Sequence, residues 1–184
     1  MVYEKMIVYI IGPGGAGKTT TGRLVAELLG WTAIDLDQAF CQYIMNIRQF
    51  IKQFGYEKYV IRNSLLLNEL LVERTGLKSV FILSSGFLST DICQETILKN
   101  RKTVNRTGVT ILLMPSTDYE TSLECIIFRQ LTRGLKLNKE TEIRKFEQRF
   151  VDYISMGEIK IFSMDKPSLI ATKIVKELQL LLHI

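Results

Sequence analysis

The chain has 184 residues, of which 47% are hydrophobic and 23% are charged, and its net charge is +5. This length and this proportion of hydrophobic to charged residues suit one globular domain, and they exclude a long disordered region and a pair of ordinary domains. The basic residues are dispersed along the sequence and do not indicate nucleic-acid binding. No apolar run approaches the roughly 20 residues of a membrane span and the first residues lack a signal-peptide pattern, so we expect a cytoplasmic protein that binds no membrane.

The most specific motif is GPGGAGKT over Gly12–Thr19, which matches every fixed position of a phosphate-binding loop. An apolar run over Met6–Ile11 predicts a buried strand before it, and apolar residues at helical spacing over Thr20–Leu29 predict a helix after it. The glycines let backbone N–H groups turn toward phosphate oxygens at the positive end of that helix. The residues expected to bind ATP are Gly12, Gly14, Gly15, Ala16, Gly17, Lys18, Thr19 and Thr20.

Two of these residues are expected to take part in the chemistry itself. Lys18 is predicted to reach the β- and γ-phosphates as a catalytic residue, and Thr19 to be a ligand of Mg²⁺. The alternative is a glycine-rich turn that only joins a strand to a helix.

Two carboxylates, Asp35 and Asp37, follow a second predicted strand over Thr32–Ile34. In an open parallel sheet, ligands bind at this end of the strands. We expect Asp35 to hold Mg²⁺ through water, and Asp37 to bind or deprotonate a substrate hydroxyl as a catalytic residue. The alternative is that one of them only caps the following helix. Two helices, Gln38–Phe54 and Tyr56–Arg74, are predicted next.

A turn of small residues, Ser84, Ser85 and Gly86, follows a third predicted strand over Ser79–Leu83. The two serine hydroxyls are candidate donors to a phosphate or a substrate hydroxyl, and the glycine would let a ligand approach the backbone closely. The alternative is that Gly86 only supplies a positive φ in the turn.

Arginines mark the end of a further predicted helix over Asp118–Leu131, for which Thr117 or Asp118 would be the cap. Arg129 and Arg133 lie on a segment that could fold over ATP, where a guanidinium group would neutralise charge on the transferred phosphoryl group. The alternative is that they only stabilise the C-terminus of the helix.

Alternation of strands with helices predicts the fold class, an α/β protein with a five-stranded parallel sheet covered on both faces in three layers. The remaining predicted elements are strands over Val109–Met114 and Ile159–Phe162, and helices over Glu140–Tyr153 and Lys173–Leu182. His183 is the only histidine, which excludes a mechanism built on a catalytic histidine. The three cysteines fit buried reduced thiols rather than a disulfide framework or a metal site.

The spacing of these motifs resembles the shikimate kinase family, small P-loop kinases with the nucleoside monophosphate kinase fold. The matching features are the phosphate loop, the Asp-Leu-Asp after the second strand, the Ser-Ser-Gly turn, and Arg149 four residues before Tyr153. The resemblance implies that Asp37 holds ring hydroxyls and that Arg149 binds the shikimate carboxylate, with Ser85 and Gly86 also at the substrate. It further implies that Arg129 contacts adenine and that Arg133 is the lid contact to phosphate.

The chain departs from the family pattern in its acceptor half. Val60 replaces a second arginine that binds the carboxylate, and Arg62 is the nearest candidate substitute. The serines Ser84 and Ser85 replace two glycines, and the lid looks shortened, with Arg133-Gly134 in place of Arg-Pro. The departures leave the acceptor open.

We therefore expect a single P-loop kinase domain over residues 1–184, with acceptor-binding helices at about 38–75 and a short lid at about 129–140. The expected reaction is ATP- and Mg²⁺-dependent phosphoryl transfer to a hydroxyl of a small acceptor, with shikimate the leading candidate. The alternatives are a gluconate-like or nucleoside acceptor, or a nucleotide-binding regulatory module with little transfer activity. We expect a monomer.

Overall fold

A parallel sheet of five strands forms the centre of the computed structural model, which describes residues 7–132 and 137–182. The strands are β1 Ile7–Ile11, β2 Thr32–Asp35, β3 Ser79–Ile82, β4 Val109–Met114 and β5 Ile159–Phe162. Their order across the sheet is β2-β3-β1-β4-β5, and every neighbouring pair is parallel. The predicted α/β class with a five-stranded parallel sheet is confirmed.

The helices of the described residues lie between the strands in sequence and beside them in space. They are α1 Lys18–Leu29, α2 Leu36–Tyr43, α3 Ile47–Phe54, α4 Tyr56–Glu73, α5 Gln94–Thr107, α6 Tyr119–Leu131, α7 Lys139–Ser155 and α8 Pro167–Leu182. None of them is long and apolar enough to cross a membrane.

Two hydrophobic clusters cover the two faces of the sheet, because successive side chains of a strand point to opposite faces. On β1, Val8 and Ile10 belong to the cluster that includes residues of α1 and α8. Tyr9 and Ile11 belong to the other cluster, which includes residues of α4, α5 and α7. The predicted layers of helix, sheet and helix follow from this alternation.

The register of β2 against β3 brings the two predicted substrate-binding turns together. Asp35 is opposite Ile82, so Asp37 and Ser84 each lie two residues beyond a paired position on adjacent strands. The carboxyl ends of both strands open beside the phosphate loop, which follows β1 in the middle of the sheet. This is the edge at which open α/β sheets bind ligands.

Several predicted helix boundaries were wrong. The helix predicted over Gln38–Phe54 is two helices, because the backbone leaves the helical conformation at Ile44 and the Asn46 side chain caps α3. The closing helix begins at Pro167 rather than Lys173, since proline is well tolerated in the first turn of a helix. Helix α5 was not named from the sequence. Of the two candidate caps for α6, Asp118 is the residue whose side chain accepts from the helix backbone.

The cysteines are free thiols, as expected. The prediction that they are buried was wrong, because Cys41 is exposed on α2 and Cys93 and Cys125 are only partly buried. In the described part of the chain, no cluster of three or more histidine, cysteine, aspartate or glutamate side chains could hold a metal ion.

Candidate active site

The phosphate loop has the backbone conformation that the motif predicts. Gly12, Gly15 and Gly17 have positive φ angles of 140°, 85° and 90°. A side chain at Gly12 would collide with the Leu113 carbonyl oxygen, so this position tolerates only glycine. Gly17 is the N-cap of α1, and no side chain caps the helix. The first N–H groups of α1 are therefore available to an anion.

Lys18 lies on the first turn of α1 and folds back over the loop. Its Nζ donates to the carbonyl oxygens of Gly12 at 2.8 Å and Pro13 at 2.9 Å. The ammonium group is thus held above the centre of the loop, among the backbone groups that a phosphate would approach. Thr19 and Thr20, also in this turn, are exposed to solvent.

Asp35 caps α2 with one carboxylate oxygen and contacts Thr19, the other predicted metal ligand, with the second. Its Oδ1 accepts from the backbone N–H groups of Asp37 and Gln38, at 3.0 and 3.2 Å, and so caps α2. Its Oδ2 accepts from the Thr19 hydroxyl at 2.8 Å. A hydroxyl and a carboxylate oxygen therefore meet at the edge of the phosphate loop. These hard oxygen donors fit Mg²⁺, which keeps most of its water ligands and needs few from the protein.

A first cavity, of about 320 Å³, lies beside the phosphate loop, and we call it the Arg129 cavity. Its lining residues are Gly15, Ala16, Gly17, Thr21, Arg129, Thr132, Asp165, Pro167 and Ile170. Arg129, the residue expected to bind adenine, therefore lines the same cavity as Gly15, Ala16 and Gly17 of the phosphate loop. Its neighbour Arg133 lies outside the described residues.

A second cavity, of about 510 Å³, opens at the ends of β2 and β3, and we call it the Arg149 cavity. Its lining includes all four predicted substrate-binding residues, Asp37, Ser85, Gly86 and Arg149. The other lining residues are Ile47, Ile51, Tyr56, Tyr59, Ser84, Thr90, Asp91, Glu142, Lys145 and Gln148. Residues from α2, α3, α4, the turn after β3 and α7 thus converge on one space.

Arg149 is a buried cation whose partners in the described chain are uncharged. Only 9% of the residue is exposed. Its Nη1 donates to the Ser85 hydroxyl at 3.3 Å and its Nη2 to the Tyr56 hydroxyl at 3.4 Å, whereas Nε is buried without a partner. No carboxylate of the described residues forms an ion pair with it. A buried charge of this kind favours the binding of an anion.

Gly86 is required here for a close approach and not for its conformation. Its φ is not positive, so the alternative that it supplies a positive φ was wrong. An alanine would place its Cβ 2.6 Å from the Tyr56 hydroxyl and 3.1 Å from Nη2 of Arg149. The glycine therefore lets these two side chains meet against the turn after β3.

Asp37, which also lines the Arg149 cavity, is held by two hydroxyl groups. Its Oδ1 accepts from Ser84 Oγ at 2.5 Å and from Tyr59 Oη at 3.4 Å. Burial, and then the negative charge of Asp37, raise the pKa of the Tyr59 phenol far above its ordinary value. Tyr59 consequently remains protonated, and able to donate, over the whole neutral range.

Three further residues lie between the loop and the Arg149 cavity and were missed from the sequence. Lys145 Nζ donates to Glu142 Oε1 at 2.7 Å, and Gln130 Nε2 donates to Glu142 Oε2 at 3.3 Å. Together with Pro13, Gly14 and Arg149, these residues line a small crevice that connects the two regions. The signal available was the spacing of Glu142, Lys145 and Arg149, which places them on one face of a helix.

The two departures noted in the acceptor half have clear structural outcomes. Val60 is 5% exposed, belongs to the hydrophobic core and does not line the Arg149 cavity. Arg62 is paired with Glu69, with N–O distances of 3.1 to 3.2 Å, and it does not line the cavity either. Arg62 therefore binds Glu69 outside the cavity and does not substitute for the arginine that the family pattern has in place of Val60.

Comparison with known proteins supports the same family. A shikimate kinase from Acinetobacter baumannii, solved in complex with shikimate, superposes with a TM-score of 0.72 over 96% of this chain and 93% of that chain, at 28% identity. Shikimate kinase from Psychrobacter sp. (strain PRwf-1) is 31% identical over 114 residues, which are 61% of this chain and 58% of that enzyme. The pentafunctional AROM polypeptide of Eremothecium gossypii is 33% identical over 81 residues, 43% of this chain and 5% of that protein.

The aligned segments thus span little more than half of a curated shikimate kinase and a small part of the AROM polypeptide. The family model described as shikimate kinase, by contrast, matches residues 14–179, which include the phosphate loop from Gly14 onward, Asp35, Asp37 and Arg149. The chain therefore belongs to the shikimate kinase family.

Proposed function

We propose that the protein is a shikimate kinase, which transfers the γ-phosphoryl group of ATP to a hydroxyl of shikimate. The observation that carries the proposal is the buried Arg149, which lacks a carboxylate partner among the described residues and lines the same cavity as Asp37. Shikimate carries a carboxylate and ring hydroxyls, which are the groups that an arginine and an aspartate bind. The relative of known structure was solved with shikimate bound.

In this proposal the phosphates of ATP bind in the loop over Gly12–Thr19, and adenine binds in the Arg129 cavity. Lys18 exchanges its bonds to the loop carbonyls for phosphate oxygens, where its charge is worth most in the transition state. Arg133, in the lid, contributes a second positive charge to the transferred group. Thr19 and Asp35 would hold Mg²⁺, which neutralises charge on the β- and γ-phosphates when bound.

Arg149 binds the acceptor carboxylate, and Ser85 and Gly86 line the same side of the acceptor. Asp37 accepts a hydrogen bond from the acceptor hydroxyl and directs its oxygen toward the γ-phosphorus. The new P–O bond forms as the bond between the γ-phosphorus and the β,γ-bridging oxygen breaks, so the products are a phosphate ester and ADP. The hydroxyl proton passes to Asp37.

We further propose that the protein is a cytoplasmic monomer that binds neither nucleic acid nor membrane. The dispersal of the basic residues along the sequence supports this, because nucleic-acid-binding surfaces concentrate them. Light scattering coupled to gel filtration tests the monomer, since a mass near twice 21.1 kDa would contradict it.

The test of the activity is ADP release measured with ATP, Mg²⁺ and one acceptor at a time: shikimate, gluconate, a nucleoside, or none. We expect turnover that depends on shikimate and is lost in Lys18→Ala. Turnover with another acceptor and none with shikimate would overturn the proposed acceptor. ADP release that no acceptor stimulates would favour a nucleotide-binding module.

A further inference from the structure

The two hydroxyls that donate to Asp37 also accept from a third side chain, and the four groups form one hydrogen-bond network. Ser84 Oγ and Tyr59 Oη, which both contact Asp37 Oδ1, also each accept from the side-chain amide of Asn63. The Asn63 Nδ2 lies 3.0 Å from Ser84 Oγ and 3.4 Å from Tyr59 Oη. One amide and two hydroxyls therefore connect α4, the end of β3 and the start of α2.

The chemistry of the groups fixes the direction of the protons in this network. An amide nitrogen only donates, and an ionised carboxylate only accepts. Each hydroxyl has one proton, so Ser84 and Tyr59 accept from Asn63 and donate to Asp37. Both donated protons go to the same carboxylate atom, Oδ1.

Burial makes the network a fixed support for Asp37. Asn63, Ser84 and Tyr59 are 2%, 5% and 7% exposed, so water competes little for their hydrogen bonds. Asp37 itself is exposed at the cavity. The buried hydroxyls of Ser84 and Tyr59 thus hold Oδ1 of the carboxylate, and the second oxygen, Oδ2, is the one left for a ligand.

We propose that Ser84 is a positioning residue that, together with Tyr59, binds Oδ1 of Asp37, so that Oδ2 alone meets the acceptor hydroxyl and receives its proton; Asn63 acts through these two hydroxyls. The inference rests on the proposed function for the nature of the acceptor. It assigns the Ser84 hydroxyl to Asp37 and not to the substrate. It is particular to this chain, because the family pattern has glycine at this position, which offers no hydroxyl.

The experiment compares Ser84→Ala with Ser89→Ala. Ser89 is also buried, at 1% exposure, and donates to an aspartate, Asp152, at 2.8 Å, but neither residue lines the Arg149 cavity. Both variants lose one hydrogen bond from a buried serine to an aspartate, so both should lose similar stability toward urea. Only Ser84→Ala should lower kcat with shikimate, by about tenfold to a hundredfold, with the KM for ATP unchanged.

If Ser84 acts through Asp37, the effects of the two substitutions on kcat should not be additive. In an Asp37→Asn background, Ser84→Ala should lower kcat by less than about threefold, because the carboxylate that it positions is already gone. Ser84→Thr, which retains the hydroxyl, should recover most of the lost kcat. Equal kcat values in Ser84→Ala and Ser89→Ala, or full additivity with Asp37→Asn, would overturn the inference.

Failure of the proposed acceptor can be distinguished from failure of the network. If the wild type turns over no acceptor, the proposed function fails, and the network is judged by urea unfolding of Asp37→Asn, Ser84→Ala and the double variant. Non-additive unfolding free energies support the contact between Ser84 and Asp37. Additive ones overturn it.

Discussion

Replacement of Arg149 by methionine should separate binding from stability, because the two effects have opposite signs at this residue. Within residues 7–132 and 137–182, the guanidinium group donates only to two neutral hydroxyls, at 3.3 and 3.4 Å, and its Nε has no partner. Methionine has a similar volume and no charge. The Arg149→Met variant therefore removes a buried charge that no described carboxylate balances.

The effect on binding follows from the loss of charge-assisted hydrogen bonds to the acceptor carboxylate. Each such bond contributes about 1.5 to 3 kcal/mol, so the loss of one raises the KM for shikimate roughly tenfold to a hundredfold. The KM for ATP should stay unchanged, since the Arg129 cavity is formed by other residues. ADP release at varied shikimate and varied ATP measures both constants.

The effect on stability has the opposite direction. Replacement of a buried charge by an apolar group of similar volume is often neutral or stabilising, by about 1 kcal/mol or more. The free energy of unfolding of Arg149→Met should therefore equal or exceed that of the wild type. Urea unfolding without ligands measures it.

Arg101→Met is the matched control, because that guanidinium is well paired outside the Arg149 cavity. Its Nη2 lies 2.8 Å from Asp152 Oδ2, and its Nε donates to the Leu88 carbonyl at 2.7 Å. Its loss removes the charged partner of Asp152, which keeps the Ser89 hydroxyl, and the side-chain donor to the Leu88 carbonyl, so stability should fall by about 1 to 2 kcal/mol, with no change in the KM for shikimate. The reasoning would be refuted if Arg149→Met lost as much stability as the control and kept the wild-type KM.

Four further outcomes are expected. Lys18→Ala should abolish phosphoryl transfer while the urea midpoint stays near that of the wild type, because the Lys18 amine donates to loop carbonyls and is not part of the hydrophobic core. Asp35→Asn should raise the Mg²⁺ concentration required for half-maximal activity more than it raises the KM for ATP. Stability should change little, because asparagine also caps helices. Equal increases in both quantities would show that Asp35 does not bind the metal. Gly86→Ala should raise the KM for shikimate alone, by displacing the guanidinium of Arg149; an unchanged KM would contradict the close packing. Burial raises the pKa of the Tyr9 phenol to about 12, so above pH 10 the folded state binds more protons than the unfolded state. The free energy of unfolding should therefore fall as the pH rises from about 10 to 12. Tyr9→Phe should reduce this loss in unfolding curves measured at alkaline pH.

The part of the site built on local backbone conformation could be predicted from the sequence. The strand, the loop and the helix around Gly12–Thr19 are contiguous, and glycines at three positions with positive φ leave the chain few alternatives. The same holds for Asp35, whose position at the end of β2 allowed both a cap and a metal ligand to be considered. The structure shows the cap on Oδ1 of Asp35 and a hydrogen bond from Thr19, the other predicted metal ligand, on Oδ2.

The helix boundaries around the acceptor could not be predicted as well. Hydrophobic residues continue at helical spacing across the break near Ile44, so periodicity alone indicates one long helix. The available signal was Asn46, a common capping residue, in the middle of the segment. Helix α5 has mostly polar residues and buries only Ile97, Asn100 and Val104, which leaves a weak hydrophobic pattern.

The contacts that hold the charged site residues depend on sheet register and helix packing, which one sequence does not specify. Helix α4 was predicted as part of the acceptor-binding segment at about 38–75, but Tyr56, Tyr59 and Asn63 were not named as site residues. These residues lie at helical spacing, and helix packing brings Asn63 to Ser84 in the turn after β3 and Tyr56 to Arg149 on α7.

Helix α4 therefore supports both charges of the proposed acceptor site with uncharged groups. Tyr59 and Asn63 act on the Asp37 side, and Tyr56 acts on the Arg149 side. Among the described residues, neither Asp37 nor Arg149 forms an ion pair, so neither charge is neutralised within the protein. A ligand that carries both an anion and a hydroxyl supplies the missing partners to both at once, whereas a neutral polyol supplies only one. This difference is the physical reason to expect a hydroxylated acid in this cavity, even though a valine occupies the place of the family's second arginine.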